Sequence, residues 1–358
     1  MQSPPEQWEP VTPISVIVPA RNEEHHIEAC LQGIVAQRYP AHLLQIIVVN
    51  DASTDDTALL VERLMQQQPN LQLLQAPPNA HLAQKKRAIH TGIQAATGQL
   101  VVTTDADCQH PPQWLRTLVY AFEQGKGRVQ FIAAPVVFYT NPILLSVFQT
   151  LDFITLQGIT AASVSSHTHN MCNGANLAYT RSAYLAVNGF EGIDALPTGD
   201  DMLLMHKITQ SYPQSAQFVK SQAAIVATPA APTWHAFLQQ RIRWASKAAF
   251  FKDRRIFYVL LLVYLFNVWL LALPFIAFFK PASWALWVAC LLGKTAIELL
   301  LLVPVARFFN RQQYLWWFLW LQPLHIAYTV AAGWLGRFGS YTWKGRVVPN
   351  PGKAMQQH

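Results

Sequence analysis

Two carboxylates that stand one residue apart, Asp105 and Asp107, follow an apolar β-branched run at residues 101–104. Alternate residues of a strand point to the same side, so a strand that carried both would project them together. Like charges at this spacing repel each other unless a cation lies between them. The spacing alone fits a solvated turn at a strand end as well as it fits a metal site.

The elements that must position this pair alternate between strand and helix. Apolar runs at 14–19, 45–51, 71–74 and 100–104 are typical of buried strands. Amphipathic patterns between them predict helices, the last of which covers about 83–97 and is ended by Gly98. This alternation predicts a parallel, doubly wound α/β sheet, in which ligands bind beyond the carboxyl ends of the strands. The polar residues predicted to lie at those ends are Arg21, Glu23, Asp51, Asp105 and Asp107.

Charge is distributed unevenly along the 358 residues, of which 52% are hydrophobic and 13% are charged. The chain resembles an ordinary soluble domain up to about residue 255, and charge almost disappears beyond it. A basic cluster stands just before the first long apolar run, and its members are Arg241, Arg243, Lys247, Lys252, Arg254 and Arg255. That position is typical of a cytoplasmic membrane-surface flank and argues against a nucleic-acid partner.

Three long apolar stretches follow the basic cluster, at about 256–279, 284–305 and 314–335. Each is long enough to cross a hydrocarbon core of about 30 Å, and tryptophans near their ends resemble interfacial belts. The chain is therefore predicted to be an integral membrane protein. A further pattern at 141–164 is too polar to span and predicts a core helix or a helix on the membrane surface.

Charged and sulfur-containing side chains elsewhere give weaker signals. Lys294 and Glu298 lie one turn apart inside the second apolar stretch, where they can neutralise each other, which favours a structural role. The four cysteines are scattered, so neither a zinc site nor a disulfide framework is expected. The polar, Pro-rich tail at 1–13 lacks the apolar region of a signal peptide.

Five motifs occur in an order and spacing that match a known family. They are VPARNEE at 18–24, VNDASTD at 49–55, DAD at 105–107, GDD at 199–201 and QRIRW at 240–244. On these motifs the chain resembles the membrane-bound family 2 glycosyltransferases, which are inverting enzymes of the GT-A fold. The resemblance covers about two thirds of the chain.

The resemblance implies a domain organisation as well as a fold. A GT-A domain, with a doubly wound mixed sheet and helices on both faces, would occupy 14–235. An interfacial helix with the QxxRW motif would follow at 236–255, then transmembrane helices at 256–336. A basic tail at 337–358 would complete the chain.

The resemblance also implies a donor site for a nucleotide sugar. Asp107 would bind Mg²⁺ or Mn²⁺, with Asp105 near the ribose and the metal, because hard oxygen ligands suit both ions. Lys85 falls where the family often has Gly-Lys, although Gln84 replaces the Gly; Lys86 and Arg87 are expected to be solvated. The residues implied for nucleotide-sugar binding are Ala20, Glu23, Asp51, Lys85, Asp105 and Arg243.

Asp201 aligns with the catalytic base of the family, and Asp200 takes the position where the family more often has Glu. Direct displacement needs one carboxylate to accept the proton of the acceptor hydroxyl. An acidic helix N-terminus would give the same pair of residues a structural explanation. The residues implied for acceptor binding are Gly174, Asn176, Gln240 and Trp244.

Together these expectations describe a transferase that moves a sugar from a UDP-sugar to a lipid or lipid-linked acceptor. The reaction would take place at the cytoplasmic face of the cell membrane, that is, the inner or plasma membrane. A processive polysaccharide synthase, a membrane nucleotidyltransferase and a non-catalytic binding module stay open as alternatives. Topology also stays open, because three spans would put the tail outside, whereas Arg337, Lys344 and Arg346 favour the inside.

Overall fold

The computed structural model describes residues 4–77, 83–139, 143–168, 171–194, 199–246, 254–343 and 346–348. The chain divides into two compact units. The first comprises Met1–Tyr139 and Ile159–Pro229, and the second comprises Thr140–Gly158 and Ala230–His358.

The first unit is built around a seven-stranded sheet in the order β3-β2-β1-β4-β7-β5-β8. A small parallel sheet pairs β6 with β9. The strands of this unit are β1 (Ile14–Ala20), β2 (Leu44–Asn50), β3 (Leu71–Gln75), β4 (Leu100–Thr103), β5 (Phe131–Ala133), β6 (Val136–Phe138), β7 (Leu177–Thr180), β8 (Ala216–Phe218) and β9 (Val226–Thr228).

The helices alternate with these strands up to β9, and four long helices follow without intervening strands. In chain order the helices are α1 (Ile27–Val35), α2 (Thr57–Met65), α3 (Gln84–Ala95), α4 (Trp114–Gln124), α5 (Leu144–Ser165), α6 (Arg181–Ala186), α7 (Met202–Ser211), α8 (Trp234–Ser246), α9 (Arg254–Phe279), α10 (Ser283–Phe308) and α11 (Leu315–Phe338). A short antiparallel hairpin of β10 (Tyr341–Trp343) and β11 (Arg346–Val348) follows α11.

The alternation of elements predicts a parallel sheet, whereas the family resemblance implies a mixed one, and the strand directions distinguish the two. The first four strands are parallel, as the alternation predicts. However, β7 is antiparallel to both β4 and β5, so the expectation of a wholly parallel sheet is wrong and the mixed sheet implied by the resemblance is confirmed. A short, fully buried strand such as β7 carries no periodicity that reveals its direction.

The loops after β1 and β2 are fastened to each other, which fixes the edge where ligands are expected. Asn22 has a positive φ of 52° and its side-chain oxygen accepts from the backbone nitrogen of Thr54 at 2.9 Å. The backbone nitrogen of Glu23 donates to the hydroxyl of Thr57 at 2.8 Å. These bonds hold the two loops side by side at the carboxyl ends of their strands.

Gly98 has a packing role in place of the helix-ending role predicted for it. Helix α3 ends at Ala95 with an extended Ala96 as its C-cap. A Cβ atom on Gly98 would lie 2.5 Å from the backbone carbonyl carbon of Ile14. Glycine is therefore needed because the chain passes close to the start of β1 before it enters β4.

The second unit contains long apolar helices. By length and composition, the helices of the described chain that could cross a membrane are Leu144–Ser165, Phe257–Phe279 and Ser283–Phe308. The two C-terminal segments match the first two predicted spans and are only 17% buried. The expectation that the segment of α5 is too polar to span is wrong by composition, because its mean hydropathy is 1.2. Its apolar window is 72% buried, in agreement with the alternative expectation of a core helix.

Candidate active site

The acidic pair stands in a turn beyond the end of β4. The strand ends at Thr103, and Ala106 and Asp107 form the turn that follows. The argument from strand alternation is therefore wrong, because neither carboxylate belongs to the strand. Both side chains are partly exposed, and the Asp107 carboxylate lies 3.5 Å from the hydroxyl of Thr228 at the end of β9.

Lys85 connects this turn to the second acidic motif. Its Nζ donates to Asp105 Oδ1 at 2.5 Å and lies 3.5 Å from Asp200 Oδ2. Burial would lower the pKa of the Lys85 ammonium, but the carboxylates of Asp105, Asp200 and Asp201 outweigh burial and raise this pKa above its usual value. The first unit thus brings together the β4 turn and the start of α7 around one ammonium group.

Gly174 lies against this bridge. A Cβ atom placed on Gly174 would be 3.3 Å from both Asp200 Oδ2 and Lys85 Nζ, and 3.6 Å from Asp201 Cβ. Any larger side chain would therefore press on the ion pair. Gly174, which is predicted to contact the acceptor, thus lies next to Asp200 and Asp201, which are predicted to be catalytic.

Asp201 is the N-cap residue of α7. Its Oδ1 accepts from the backbone nitrogen of Met202 at 2.7 Å, and the residue is buried. This is the structural explanation that the sequence offered for the motif, and it holds the carboxylate at the positive end of a helix. A capping role and a catalytic role are compatible, because the cap bond fixes the carboxylate in position.

The Asp51 carboxylate at the end of β2 is held by two arginines. Arg87 donates to its Oδ1, while Arg21 donates to the backbone oxygen of Asp51 at 2.8 Å and lies 3.9 Å from Oδ2. The expectation that Arg87 and Lys86 are solvated is wrong. Lys86 is 2% exposed and donates to the backbone oxygen of Ile193.

Asn176 is fully buried and its amide is used within the fold. Its oxygen accepts from the indole of Trp114 at 2.8 Å, and its nitrogen donates to the backbone oxygens of Pro135 and Ala224, both at 2.8 Å. The acceptor contact predicted for Asn176 does not fit this geometry, because the amide has no exposed surface to offer. Asn176 instead fastens the start of β7 to its neighbours.

His110 and Thr104 were not identified from the sequence. The Thr104 hydroxyl donates to the backbone oxygen of Ala175 at 2.9 Å and bonds His110 Nε2 at 2.8 Å. Since the hydroxyl proton is used on Ala175, His110 Nε2 must be the donor to Thr104. Burial lowers the pKa of His110 to about 3, so the ring stays neutral. The sequence feature that could have identified this pair is a histidine just after the two aspartates of the β4 turn.

The residues Gln240, Arg243 and Trp244 lie on α8 in the second unit. Their neighbour Arg241 had been assigned to the basic membrane-surface flank, and this is wrong. Arg241 is 4% exposed and forms an ion pair with Asp152 of α5. Lys247 and Lys252, which had been assigned to the same flank, lie outside the described residues.

The donor set at the β4 turn fits a hard divalent cation. Asp105 and Asp107 supply carboxylate oxygens, and both side chains are partly exposed to solvent. Within the described residues no group of three or more His, Cys, Asp or Glu side chains is arranged to hold a metal ion. Mg²⁺ and Mn²⁺ fit such a sparse site, because they are commonly bound by one or two carboxylates together with water and substrate phosphates.

Comparison with known proteins identifies the family. The model described as glycosyl transferase family 2 matches residues 15–167, and the model described as glycosyl transferase family group 2 matches residues 100–335. The mannosyltransferase PcManGT from Pyrobaculum calidifontis is a structural neighbour with a TM-score of 0.56 and 22% identity. The alignment covers 92% of this chain and 88% of that protein, so the two share a fold.

Curated relatives match parts of the chain. Haloferax volcanii glycosyltransferase AglE is 30% identical over 102 residues, 28% of this chain and 33% of that protein. Bacillus subtilis probable glycosyltransferase YdaM is 27% identical over 234 residues, 65% of this chain and 54% of that protein. The undecaprenyl-phosphate 4-deoxy-4-formamido-L-arabinose transferase of Serratia proteamaculans is 32% identical over 127 residues, 35% of this chain and 38% of that protein.

The matches to these relatives thus span between a third and about half of their lengths. The family group 2 model, by contrast, covers well over half of this chain, and it includes the β4 turn, the start of α7 and the motif on α8. The chain belongs to glycosyl transferase family group 2 and is a glycosyltransferase.

Proposed function

We propose that this glycosyltransferase is an inverting enzyme that moves a sugar from a UDP-sugar to a lipid or lipid-linked acceptor at the cytoplasmic face of the cell membrane. The observation that carries the proposal is the position of Lys85, whose ammonium joins Asp105 of the β4 turn to Asp200 at the start of α7. Groups suited to bind a diphosphate and groups suited to accept a proton are thereby held at one site.

The donor would be held by the loops that follow β1, β2 and β4. Ala20, Glu23 and Asp51 form the proposed nucleoside pocket, where the Asp51 carboxylate accepts from the base. Asp105 and Asp107 would hold Mg²⁺ or Mn²⁺, in keeping with the Mn²⁺ and GDP-mannose present in the Pyrobaculum neighbour. When bound, the cation would supply positive charge that stabilises the departing nucleoside diphosphate.

The protein groups around the reacting sugar have separate tasks in this proposal. Asp201 accepts the proton of the acceptor hydroxyl while the hydroxyl oxygen attacks the anomeric carbon. The bond from that carbon to the diphosphate oxygen breaks, and the configuration inverts. Asp200 forms an ion pair with Lys85 at 3.5 Å, and Arg243 is proposed to contact the diphosphate.

The acceptor class is proposed from two kinds of support. The Serratia relative is named for an undecaprenyl-phosphate acceptor, and the described chain contains apolar helices of membrane-spanning length. Gly174, Gln240 and Trp244 are the residues proposed to contact the acceptor, with the Trp244 ring as a flat apolar wall.

A donor screen tests this proposal. Membranes containing the full chain are supplied with labelled nucleotide sugars and either Mn²⁺ or Mg²⁺, and lipids are then extracted. The expected result is labelled sugar in the lipid fraction, with release of free UDP. Release of pyrophosphate would contradict the proposal in favour of nucleotidyl transfer, and a growing polymer would contradict it in favour of a processive synthase.

A further inference from the structure

Arg241 of α8 lies at the centre of a buried cluster in the second unit. Its Nε and Nη2 both contact Asp152 Oδ2, at 2.8 and 2.5 Å, and each of the two side chains is only 4% exposed. The other oxygen, Asp152 Oδ1, accepts from the Tyr328 hydroxyl of α11, and His325 Nε2 lies 3.7 Å from it. The guanidinium is therefore held in one orientation by a carboxylate that is itself held.

Two aromatic rings enclose the same guanidinium. Phe237 stands four residues before Arg241 and Trp244 three residues after it, so all three lie on one face of α8. The guanidinium carbon is 4.5 Å from the Phe237 ring centroid and 4.2 Å from the Trp244 ring centroid. The Trp244 ring is therefore stacked on a cation that Asp152 fixes.

Arg241 also sets the orientation of the adjacent amide. Its Nη1 donates to Gln240 Oε1 at 2.6 Å. An amide whose oxygen is committed in this way offers its NH₂ group to other partners. The NH₂ of Gln240 is thereby assigned as the group that meets a hydroxyl or phosphate oxygen of a ligand.

We propose that Arg241 is a positioning residue for the acceptor: with Asp152 as its anchor, it orients both Gln240 and Trp244. This inference rests on the proposed function in one respect, namely that Gln240 and Trp244 contact the acceptor. Arg241 itself touches neither the acceptor nor the reacting atoms in this proposal, and acts only through its two neighbours.

A purely structural role is a poor explanation of the cluster. Apolar side chains of similar volume can join helices without the desolvation that two buried charges require. What an apolar replacement cannot supply is a planar group that contacts a carboxylate, an amide oxygen and two aromatic rings. Lysine keeps the charge of arginine but lacks this planar fork. Substitution of Arg241 by lysine therefore separates the structural role from the positioning role.

The test compares Arg241→Lys with Gln322→Met in the full chain in lipid nanodiscs. Gln322→Met removes two buried hydrogen bonds of α11, to Lys294 and Glu298, and leaves every described contact of Arg241 and Asp152 in place, so it reports the structural role alone. For Arg241→Lys we expect the KM for the lipid acceptor to rise about tenfold, because misplaced positioning groups weaken productive binding. The donor KM should change less than about twofold, and Gln322→Met should leave both KM values unchanged.

If donor and acceptor KM values rise together in Arg241→Lys, or if Gln322→Met has the same kinetic effect, the positioning role is overturned. A spectroscopic measurement separates this inference from the proposed function. In chains labelled with 5-fluorotryptophan, the ¹⁹F resonance of Trp244, assigned with Trp244→Phe, should shift in Arg241→Lys and stay in place in Gln322→Met. An unshifted resonance overturns the positioning role even where lipid transfer is observed, and a shifted one supports it even where transfer to lipid fails.

Discussion

Lys85 and Lys86 are consecutive lysines on α3 with different environments. Lys85 bridges Asp105 and Asp200, whereas Lys86 is buried and bonds the backbone oxygen of Ile193. One residue is part of the candidate site and the other is part of the core. Because the two side chains have the same composition and length, their substitution separates binding from folding within one helix turn.

The first prediction concerns this pair. Lys85→Met should weaken donor binding about ten- to a hundredfold, because a hydrogen bond to a charged group contributes about 1.5–3 kcal/mol. Lys86→Met should lower the melting temperature, because the bond to Ile193 is lost, and should leave the donor KM unchanged. The measurement is donor KM and thermal melting for both variants. Equal effects of the two substitutions on donor KM would contradict the site.

The second prediction concerns pH. Burial lowers the pKa of His110 from 6.5 to about 3 in the folded protein. Between these values the unfolded chain binds the proton and the folded chain does not, so stability from this group is present above pH 6.5 and is lost as pH falls toward 3. The free energy of unfolding of His110→Gln should therefore fall less steeply than that of wild type between pH 7 and pH 4.5. Parallel curves would show that His110 titrates normally.

The sequence predicted the positions of the acidic residues better than the environments of the basic ones. Asp105, Asp107 and Asp201 follow or precede recognisable elements, so their places next to β4 and α7 follow from the local pattern. The charges of Lys86, Arg87 and Arg241 were assigned to solvent or to the membrane surface. Burial of a cation depends on a carboxylate or carbonyl that is distant in sequence, such as Asp152 for Arg241, and no local pattern contains that partner.

At the scale of elements, one buried side chain joins the start of β7 to three neighbouring segments. Asn176 precedes the strand and joins it to Trp114 of α4 and to the backbone oxygens of Pro135 and Ala224. The sequence predicted neither this role nor the antiparallel direction of β7. The role of Asn176 and the direction of β7 both depend on partners that are distant in sequence and meet only on folding. The parallel strands β1 to β4, by contrast, follow from local alternation alone.

The third prediction follows from these bonds. Asn176→Ala should lower the free energy of unfolding by about 2–4 kcal/mol, because three buried polar groups lose their partners. The control is Asn70→Ala, which removes one bond to the backbone oxygen of Leu44 and should cost less than about 1.5 kcal/mol. Denaturant or thermal unfolding of both variants checks this. Should Asn176→Ala retain wild-type stability and lose acceptor affinity, the acceptor role predicted from the sequence would be reinstated.

At the scale of the whole molecule, the number of membrane crossings is the main question. The helices α9 and α10 contain segments that could cross a membrane. The third predicted span is a 24-residue helix, α11, and it is not one of the candidates found in the described chain. Near its end, a Cβ atom on Gly336 would lie 2.7 Å from Ala245 Cβ of α8. The end of α11 therefore lies beside the end of α8, shortly before α9 begins.

The fourth prediction is a topology with two crossings. If α9 and α10 cross and α11 does not, the chain after α11 lies on the same side as the end of α8, in agreement with the positive charge of Arg337. In a background without accessible cysteines, Lys280→Cys should react with an impermeant maleimide from outside the cell. Asn310→Cys and Ser340→Cys should react only in inverted vesicles. Labelling of Ser340→Cys from outside would show that α11 crosses as well.

Asp201→Asn gives the most direct test of the central claim, that the carboxylates at the β4 turn and at the start of α7 form a glycosyltransferase site. Asparagine is also a good N-cap, so the free energy of unfolding should change by less than about 1 kcal/mol. It cannot accept a proton, so sugar transfer should fall about 10²- to 10⁴-fold. Asp56→Asn, at the exposed N-cap position of α2, is the matched control and should transfer sugar normally. Transfer by a folded Asp201→Asn at the wild-type rate would contradict the account.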